Sequence, residues 1–186
     1  MIAEEFAREE IVRLGALLHR NELVHGAEGN LSARVGRERI IVTPAGLPKE
    51  SLHPAQLLAV TAAGELADRQ TPAAARLRPS TELPMHLGCY RQRTDVHAVV
   101  HAHPPNLVAW SMASEALPAA RFPNLGVTAV AERSASAHHR AIAALIGQHD
   151  AILLRGHGSL TVARDLATAY ALLAALERAA ARAHPS

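Results

Sequence analysis

Apolar residues recur every three or four positions near both ends of the chain, which is the spacing of one helical face. Close to the start these positions, separated by charged residues, are Phe6, Ile11, Leu14, Leu17, Leu18 and Val24. They predict an amphipathic helix over residues 3–24. Close to the end, Asp165 is a good N-cap for a closing helix that would extend to about residue 183.

Between these helices, short aliphatic and β-branched runs alternate with glycine and proline, as in strands that end in turns. The expected strands are a short one in HGAEGNLSAR (25–34), RIIVTPAG (39–46), two across LLAVTAAGEL (57–66), VHAVVHAH (96–103), 127–130, AILLRG (151–156) and SLTVA (159–163). Further helices are expected from Ser80 or Thr81 to about Arg93, over 106–113 and over 136–147. This mixture predicts one α/β domain over residues 1–186, with a sheet sandwiched by helices.

Composition narrows the class of protein. Hydrophobic residues make up 49% of the chain but aromatic residues only 3%, so the core is expected to be aliphatic. A net charge of +2 without any run of Lys or Arg provides no basic face for nucleic acid. The acidic N-terminus does not resemble a signal peptide, and no apolar stretch approaches the roughly 20 residues of a membrane span. With Cys89 as the only cysteine, a cytoplasmic protein that binds neither nucleic acid nor membrane is expected.

Two histidines of the predicted strand 96–103 stand two positions apart. Because side chains alternate along a strand, His101 and His103 project from the same face, about 7 Å apart at the backbone, and could bind one metal ion. His157 follows another predicted strand and is flanked by glycines. Three histidines that leave one coordination position open are typical of a catalytic metal site. A single histidine at a strand end is more often a hydrogen-bonded structural residue, so from the residues alone both interpretations stay open.

Glu82 stands where the helix that starts near residue 80 should begin. A carboxylate there complements the positive end of the helix, which is sufficient reason for its presence. Beside a metal ion it would act as a general base, provided that burial or coupling raises its pKa.

The first turn of the same helix could bind a phosphate, because helix N-termini favour anions. Ser80 and Thr81 would add their hydroxyl groups. The other candidates for substrate contact lie in two turns rich in backbone donors, and they are Gly29, Asn30, Ala45 and Gly46.

Four segments, taken in order, resemble the class II aldolase/adducin family, which includes fuculose-phosphate aldolase. They are GAEGNLSAR (26–34), TPAGLP (43–48), RPSTELPMHLGCYRQRTDVHAVVHAHPP (78–105) and LLRGHGSLTVARDLATAYALLAALE (153–177). The resemblance implies a three-layer α/β/α sandwich with a central mixed, mostly antiparallel sheet. It also implies a homotetramer with active sites at the subunit interfaces.

The resemblance assigns a role to each candidate residue. It implies that His101, His103 and His157 bind zinc, although Mn²⁺, Fe²⁺ or Co²⁺ would also suit such a site. Glu82 matches the carboxylate that transfers protons and can be a fourth metal ligand before the substrate binds. The positions that match the phosphate cradle are Gly29, Asn30, Gly46, Ser80 and Thr81, with Ala45 in place of a hydroxyl residue.

The implied reaction is reversible retro-aldol cleavage of a small ketose, expected to be phosphorylated, through a zinc-stabilised enediolate. Aldolases of this family bring a C-terminal tyrosine to a neighbour's active site. The only tyrosines here are Tyr90 and Tyr170, both in predicted helices, so that tyrosine is expected to be absent. A sugar-phosphate dehydratase, epimerase or decarboxylase therefore stays open as an alternative.

Two other classes of protein fit the sequence less well. A non-catalytic, adducin-like interaction domain would have no need of the three histidines and Glu82, which argues against it. A His-x-His hydrolase of the barrel type is disfavoured because such barrels need about 250 residues, more than the 186 of this sequence.

Overall fold

The structure is a computed structural model that describes residues 2–67, 71–112, 125–128, 142 and 145–182. Within these residues seven strands form one sheet in the order β3–β2–β1–β4–β7–β6–β5. The strands are β1 (Asn30–Arg34), β2 (Ile40–Val42), β3 (Leu58–Val60), β4 (Ala98–Ala102), β5 (Leu125–Thr128), β6 (Ala151–Leu154) and β7 (Gly158–Ala163). Only β5 and β6 pair in parallel, and the other neighbours are antiparallel. The expected mixed, mostly antiparallel sheet is confirmed.

Helices cover both faces of the sheet. They are α1 (Glu4–Arg20), α2 (Leu83–Gln92), α3 (Pro105–Met112) and α4 (Leu166–Arg182). Adjacent strand residues point to opposite faces, and the core divides accordingly. Leu31 and Val100 pack with α1, α3 and α4, whereas Val99 and Ile152 pack with α2 and Ile146. The three-layer α/β/α sandwich is therefore confirmed.

Several element boundaries differ from the predicted ones. The first helix ends at Arg20, four residues early, and the second begins at Leu83 with Glu82 at its N-cap position. Ser80 caps the preceding turn, because its Oγ accepts a hydrogen bond from Glu82 N at 3.2 Å. The second strand expected within residues 57–66 is reduced to one bridge between Val60 and Leu66.

Among the other predicted features, the cap of the closing helix is found, and two elements lie only partly within the described residues. Asp165 is the N-cap of α4, since its Oδ1 accepts from Thr168 N at 2.7 Å. The strand expected at 127–130 is β5, whose residues 125–128 are described while 129–130 are not. Of the helix expected at 136–147, Ile142 and residues 145–146 are helical, and the remaining positions before 145 lie outside the described residues. None of the described helices is long and apolar enough to cross a membrane.

The order of the central strands places the candidate residues together. Asn30 on β1 pairs with His101 on β4, and His101 pairs on its other side with Leu160 on β7. The turn from β6 into β7 carries His157 back to the end of β4, where its amide donates to Leu154 O at 3.0 Å. The neighbouring strands β1, β4 and β7 therefore bring Asn30, His101 and His157 together at one end of the central strands.

Candidate metal centre

The three predicted histidines converge. Ring centroids lie 5.0 Å apart for His101 and His103, and 5.1 Å from each of these to His157. One nitrogen from each ring lies within 4.8 Å of the other two. His101 is fully buried, while the other two rings are partly exposed, so the cluster opens toward solvent on one side. The structure thus brings together three residues that are separated by up to 56 positions in the sequence.

A glycine turn supports this cluster from the β1 side. Gly29 has φ +70°, and a Cβ there would lie 2.6 Å from Val24 Cγ1 and 2.8 Å from His101 O. A side chain at this position is excluded both by backbone conformation and by space. The Gly-Asn pair of the sequence therefore lets β1 start directly beside His101.

In His101 and His103, the ring nitrogen Nδ1 already has a hydrogen-bond partner outside the cluster. His101 Nδ1 lies 2.9 Å from Ser159 O, and His103 Nδ1 lies 3.4 Å from Glu28 Oε2. Both partners accept hydrogen bonds, so each Nδ1 carries the hydrogen and each Nε2 can take a metal ion or a second proton. The two Nε2 atoms face each other at 3.2 Å.

Glu82 completes the arrangement. Its Oε1 lies 3.3 Å from His101 Nε2 and 3.2 Å from His157 Nε2. Four ligands at about 2.0–2.1 Å from a tetrahedral metal ion lie about 3.3 Å from one another. These separations match that spacing, and a metal ion would take the place of the hydrogen bonds that His101 and His157 donate to Glu82. These residues fit a divalent metal ion with three histidine ligands and a carboxylate.

The pKa of Glu82 is shifted in an unexpected direction. Burial raises the pKa of its carboxyl, but hydrogen bonds from His101, His157 and Asn30 outweigh burial and hold the pKa well below its ordinary value. As a general base Glu82 was expected to need a pKa raised by burial or coupling, and the observed direction is the opposite. Burial, together with His101 and His157, lowers the pKa of His103 to about 4. A neutral His103 beside an ionised Glu82 is the protonation pattern that metal binding requires.

The second oxygen of Glu82 has a different neighbour. Asn30 Nδ2 donates to Glu82 Oε2 at 2.6 Å and lies 3.5 Å from Ser80 Oγ. The carboxylate is thus held from both sides, with Oε1 toward the histidines and Oε2 toward the polar turn at residue 80.

Three segments proposed to contact a phosphate also meet here. Pro44 forms a bridge with Pro79, which places the Ala45–Gly46 loop beside Ser80, and a shallow cavity next to it is lined by residues that include Asn30 and Ser80. Ala45 N donates to Arg78 O at 2.9 Å, so the backbone donor expected there is already used.

Other backbone donors in these segments stay available. The N–H groups of Gly29, Gly46 and Thr81 make no backbone hydrogen bond within the part of the chain that the structure describes. Gly46 has φ +75°, with open space where a Cβ would stand. The loop therefore exposes its backbone as an anion-binding loop would.

Neither tyrosine of the chain reaches the cluster. Tyr90 is buried in α2 and its hydroxyl lies 2.8 Å from Ser32 Oγ. Tyr170 lies in α4, and its hydroxyl accepts from Asn21 Nδ2 at 2.5 Å. The cluster of histidines and Glu82 therefore contains no tyrosine hydroxyl of this chain.

Two residues near the site were not found from the sequence. Glu28, which orients His103, lies in the GAEGN stretch, but an exposed acidic residue in a turn carries no specific signal. His86 is buried in α2, and its Nε2 lies 2.5 Å from Asn30 Oδ1. Its spacing of four residues from both Glu82 and Tyr90 was the available signal.

Comparison with known proteins gives the family. The family model described as "Class II Aldolase and Adducin N-terminal domain" matches residues 9–184. A 5-deoxy-D-ribulose 1-phosphate aldolase from Bacillus thuringiensis is 30% identical over 178 residues, covering 91% of this chain and 80% of that protein.

The relatives differ in their reactions. A methylthioribulose-1-phosphate dehydratase from Methylococcus capsulatus is 35% identical over 96 residues, and the match covers 52% of this chain but only 44% of the dehydratase. Decarboxylases also occur among the matched relatives. Among solved structures, YgbL from Klebsiella pneumoniae is 25% identical with a TM-score of 0.86, covering 98% of this chain and 90% of YgbL.

Proposed function

Because the chain belongs to the class II aldolase and adducin family, we propose that it is a metal-dependent lyase that cleaves a small phosphorylated ketose. The reaction would be a reversible retro-aldol cleavage. The observation that carries the proposal is the convergence of His101, His103 and His157 with Glu82 Oε1 at separations that suit one tetrahedral ion.

The three histidines would hold the metal ion, and we propose zinc. Bound there, the ion would supply positive charge that stabilises the enediolate left when the carbon–carbon bond breaks. The chain's own contribution is to fix the ligands. Ser159 O and Glu28 accept hydrogen bonds from Nδ1 of His101 and His103, respectively. The Nε2 atoms of both rings therefore point at one position.

Glu82 would transfer the proton. In the cleavage direction the substrate hydroxyl loses a proton, the aldehyde leaves, and the carbon that remains gains a proton. An ionised carboxylate can accept the first proton and deliver it to that carbon. Its place between the histidines and Asn30, beside the proposed metal position, supports this role.

The substrate phosphate would bind opposite the metal, between the Gly29–Asn30 turn, the Gly46 loop and the start of α2. The free N–H groups of Gly29, Gly46 and Thr81, together with the Ser80 hydroxyl, support this placement. We propose no contact from Ala45, because its amide is bonded to Arg78 O.

Dehydration is the second candidate. It is favoured over simple aldol cleavage by the absence of a tyrosine from the cluster that this chain forms. Both reactions would pass through a stabilised enolate, which forms by carbon–carbon cleavage in the aldolase and by loss of a carbon-bound proton in the dehydratase. An epimerase or decarboxylase would also depend on a stabilised enolate. A non-catalytic interaction role is disfavoured by the complete cluster with an oriented Glu82.

We further propose that the protein is a cytoplasmic homotetramer with active sites at the subunit interfaces. The partly exposed rings of His103 and His157 would leave the metal position open to a neighbouring subunit as well as to the substrate.

The two reactions are separated by one assay. Zinc-loaded protein is incubated with 5-deoxy-D-ribulose 1-phosphate and, separately, with methylthioribulose 1-phosphate. Retro-aldol cleavage between C3 and C4 gives dihydroxyacetone phosphate and an aldehyde from either substrate, whereas dehydration gives a single product lighter by one water. Dihydroxyacetone phosphate is the expected product, detected by coupled reduction and by mass spectrometry. Only the dehydrated product, or no turnover of either compound, would contradict the aldolase proposal.

A further inference from the structure

Two rows of polar side chains face each other between α2 and β1, behind the metal centre. The helix row, spaced by four residues, is Glu82, His86 and Tyr90, and the strand row, spaced by two, is Asn30, Ser32 and Arg34. Four helical residues advance about 6 Å and two strand residues about 6.7 Å, so the rows stay in register. Ser32 and His86 are 0% and 2% exposed, so this interior polarity has to be satisfied within the protein.

Hydrogen bonds join the two rows into one continuous chain that ends on Glu82. Tyr90 OH lies 2.8 Å from Ser32 Oγ, and Ser32 Oγ lies 2.7 Å from His86 Nδ1. His86 Nε2 lies 2.5 Å from Asn30 Oδ1, and Asn30 Nδ2 lies 2.6 Å from Glu82 Oε2. Every link alternates between the helix and the strand.

The direction of each bond follows from the one before it. An ionised Glu82 only accepts, so Asn30 must present its NH₂ group and turn Oδ1 toward His86. That oxygen also only accepts, so His86 Nε2 carries the hydrogen. Burial, with a contribution from His101, lowers the pKa of His86 to about 3, so the ring is neutral and its Nδ1 accepts from the Ser32 hydroxyl. Ser32 Oγ in turn accepts from Tyr90 OH.

We propose that His86 is a positioning residue, whose Nε2–H locks the Asn30 amide in the orientation that donates to Glu82 Oε2. The inference rests on the proposed function, in which Glu82 transfers the proton. With no donor at position 86, Asn30 Oδ1 loses its buried partner, and only the bond to Glu82 still orients the amide. Glu82 is then held less firmly relative to the metal ligands.

Two substitutions at position 86 separate positioning from simple packing. In His86→Gln the terminal amide nitrogen replaces Nε2 and keeps a donor for Asn30, while the acceptor for Ser32 is lost. In His86→Asn the shorter side chain keeps an acceptor near Ser32 and loses the donor. Cys89→Ala is the matched control, because Cys89 is equally buried in the same helix and its thiol donates to Met85 O, outside the hydrogen-bonded chain.

The kinetic test uses the zinc-loaded variants with 5-deoxy-D-ribulose 1-phosphate at equal metal content. We expect kcat of His86→Asn to fall about 10–100-fold with little change in KM, and kcat of His86→Gln and Cys89→Ala to stay within a few-fold of wild type. Equal losses in the Gln and Asn variants, or a wild-type kcat in His86→Asn, would overturn the inference.

A second measurement does not depend on activity or on the folding of a variant. Nitrogen-15 NMR of the wild-type protein labelled at histidine reports which ring nitrogen of His86 is protonated. The Nε2–H tautomer is expected, whereas an Nδ1–H tautomer or a doubly protonated ring would overturn the inference even if the enzyme is active. If wild type turns over neither ketose phosphate, the proposed function fails while this spectrum still decides the tautomer.

Discussion

A Cβ atom on Gly158 would lie 2.6 Å from Cδ2 of His103, so the missing side chain of one residue makes room for the ring of the other. The same Cβ would lie 2.5 Å from Ala102 O, which is backbone of β4 and cannot turn aside. The space beside Gly158 is therefore occupied by the ring of His103, which directly follows β4.

Gly158→Ala should displace His103 and strain the β4–β7 pairing. We expect a loss of about 1–3 kcal/mol in the free energy of unfolding and weaker metal binding. Urea unfolding and competition with a chelator measure the two effects. Gly88→Ala is the control, because Gly88 lies in α2 with nothing within 4 Å of its would-be Cβ. The same metal affinity in both variants would contradict the role assigned to Gly158.

Glu82→Gln keeps the shape of the side chain and removes its ability to carry a proton. The metal content should stay at the wild-type level, because the three histidines remain, while kcat should fall by at least about 100-fold. Elemental analysis and the ketose phosphate assay are run on the same sample. Glu65→Gln, at an exposed position in the turn after β3, should behave as wild type. Substantial turnover in Glu82→Gln would remove this residue from the chemistry.

Lys49 is the only lysine of the chain and is 1% exposed. Its ammonium group donates to Ala27 O at 3.0 Å and Leu47 O at 2.9 Å, which ties the turn before Gly29 to the loop after Gly46. Burial lowers the pKa of Lys49 from 10.5 to about 8. Between these pH values the unfolded chain therefore holds more protons than the folded protein.

Folded stability should consequently rise with pH across this window, by up to about 3 kcal/mol. Below pH 8 the lysine is charged in both states and the cost of burying it is fully present. Lys49→Met removes the titrating group, so its free energy of unfolding should lack that rise. Urea unfolding at several pH values between about 8 and 10.5 compares the two proteins, and parallel profiles would contradict the assignment.

Glu177 anchors the helix that follows His103. Its carboxylate accepts hydrogen bonds from Asn106 N at 2.9 Å, Asn106 Nδ2 at 2.7 Å and Leu107 N at 2.9 Å, although it belongs to α4. Glu177→Ala leaves these donors, of which Leu107 N is buried, without their acceptor and should cost about 1–3 kcal/mol of folding free energy. Urea unfolding measures the loss. Glu177→Gln, which keeps one accepting oxygen, should lose less, and equal losses would show that the hydrogen bonds are not responsible.

The sequence predicted contacts correctly where the spacing of residues along the chain determines their positions in the fold. His101 and His103 are two positions apart on a strand, so their convergence followed from alternation alone. Asp165 as a helix cap followed from local chemistry in the same way. His157 was a candidate from its place after a predicted strand, but the residues alone left its role open, because its approach depends on how β7 pairs with β4.

The parts that sequence patterns missed depend on tertiary contacts. The helix near residue 80 begins at Leu83 because Ser80 caps the preceding turn instead of the helix. The low pKa of Glu82 comes from three side chains on three other segments, and burial alone predicted the opposite direction. His86 looked like an ordinary helical residue until the register of α2 on β1 set it against Asn30.

The central claim is that His101, His103 and His157 hold one metal ion, and elemental mass spectrometry of the purified protein tests it most directly. Wild type should contain about one transition-metal ion per chain, with zinc expected, and His101→Ala should contain almost none while keeping its circular dichroism spectrum. Wild-type protein that carries no transition metal and takes up none from added zinc would contradict the account, and so would full metal content in His101→Ala.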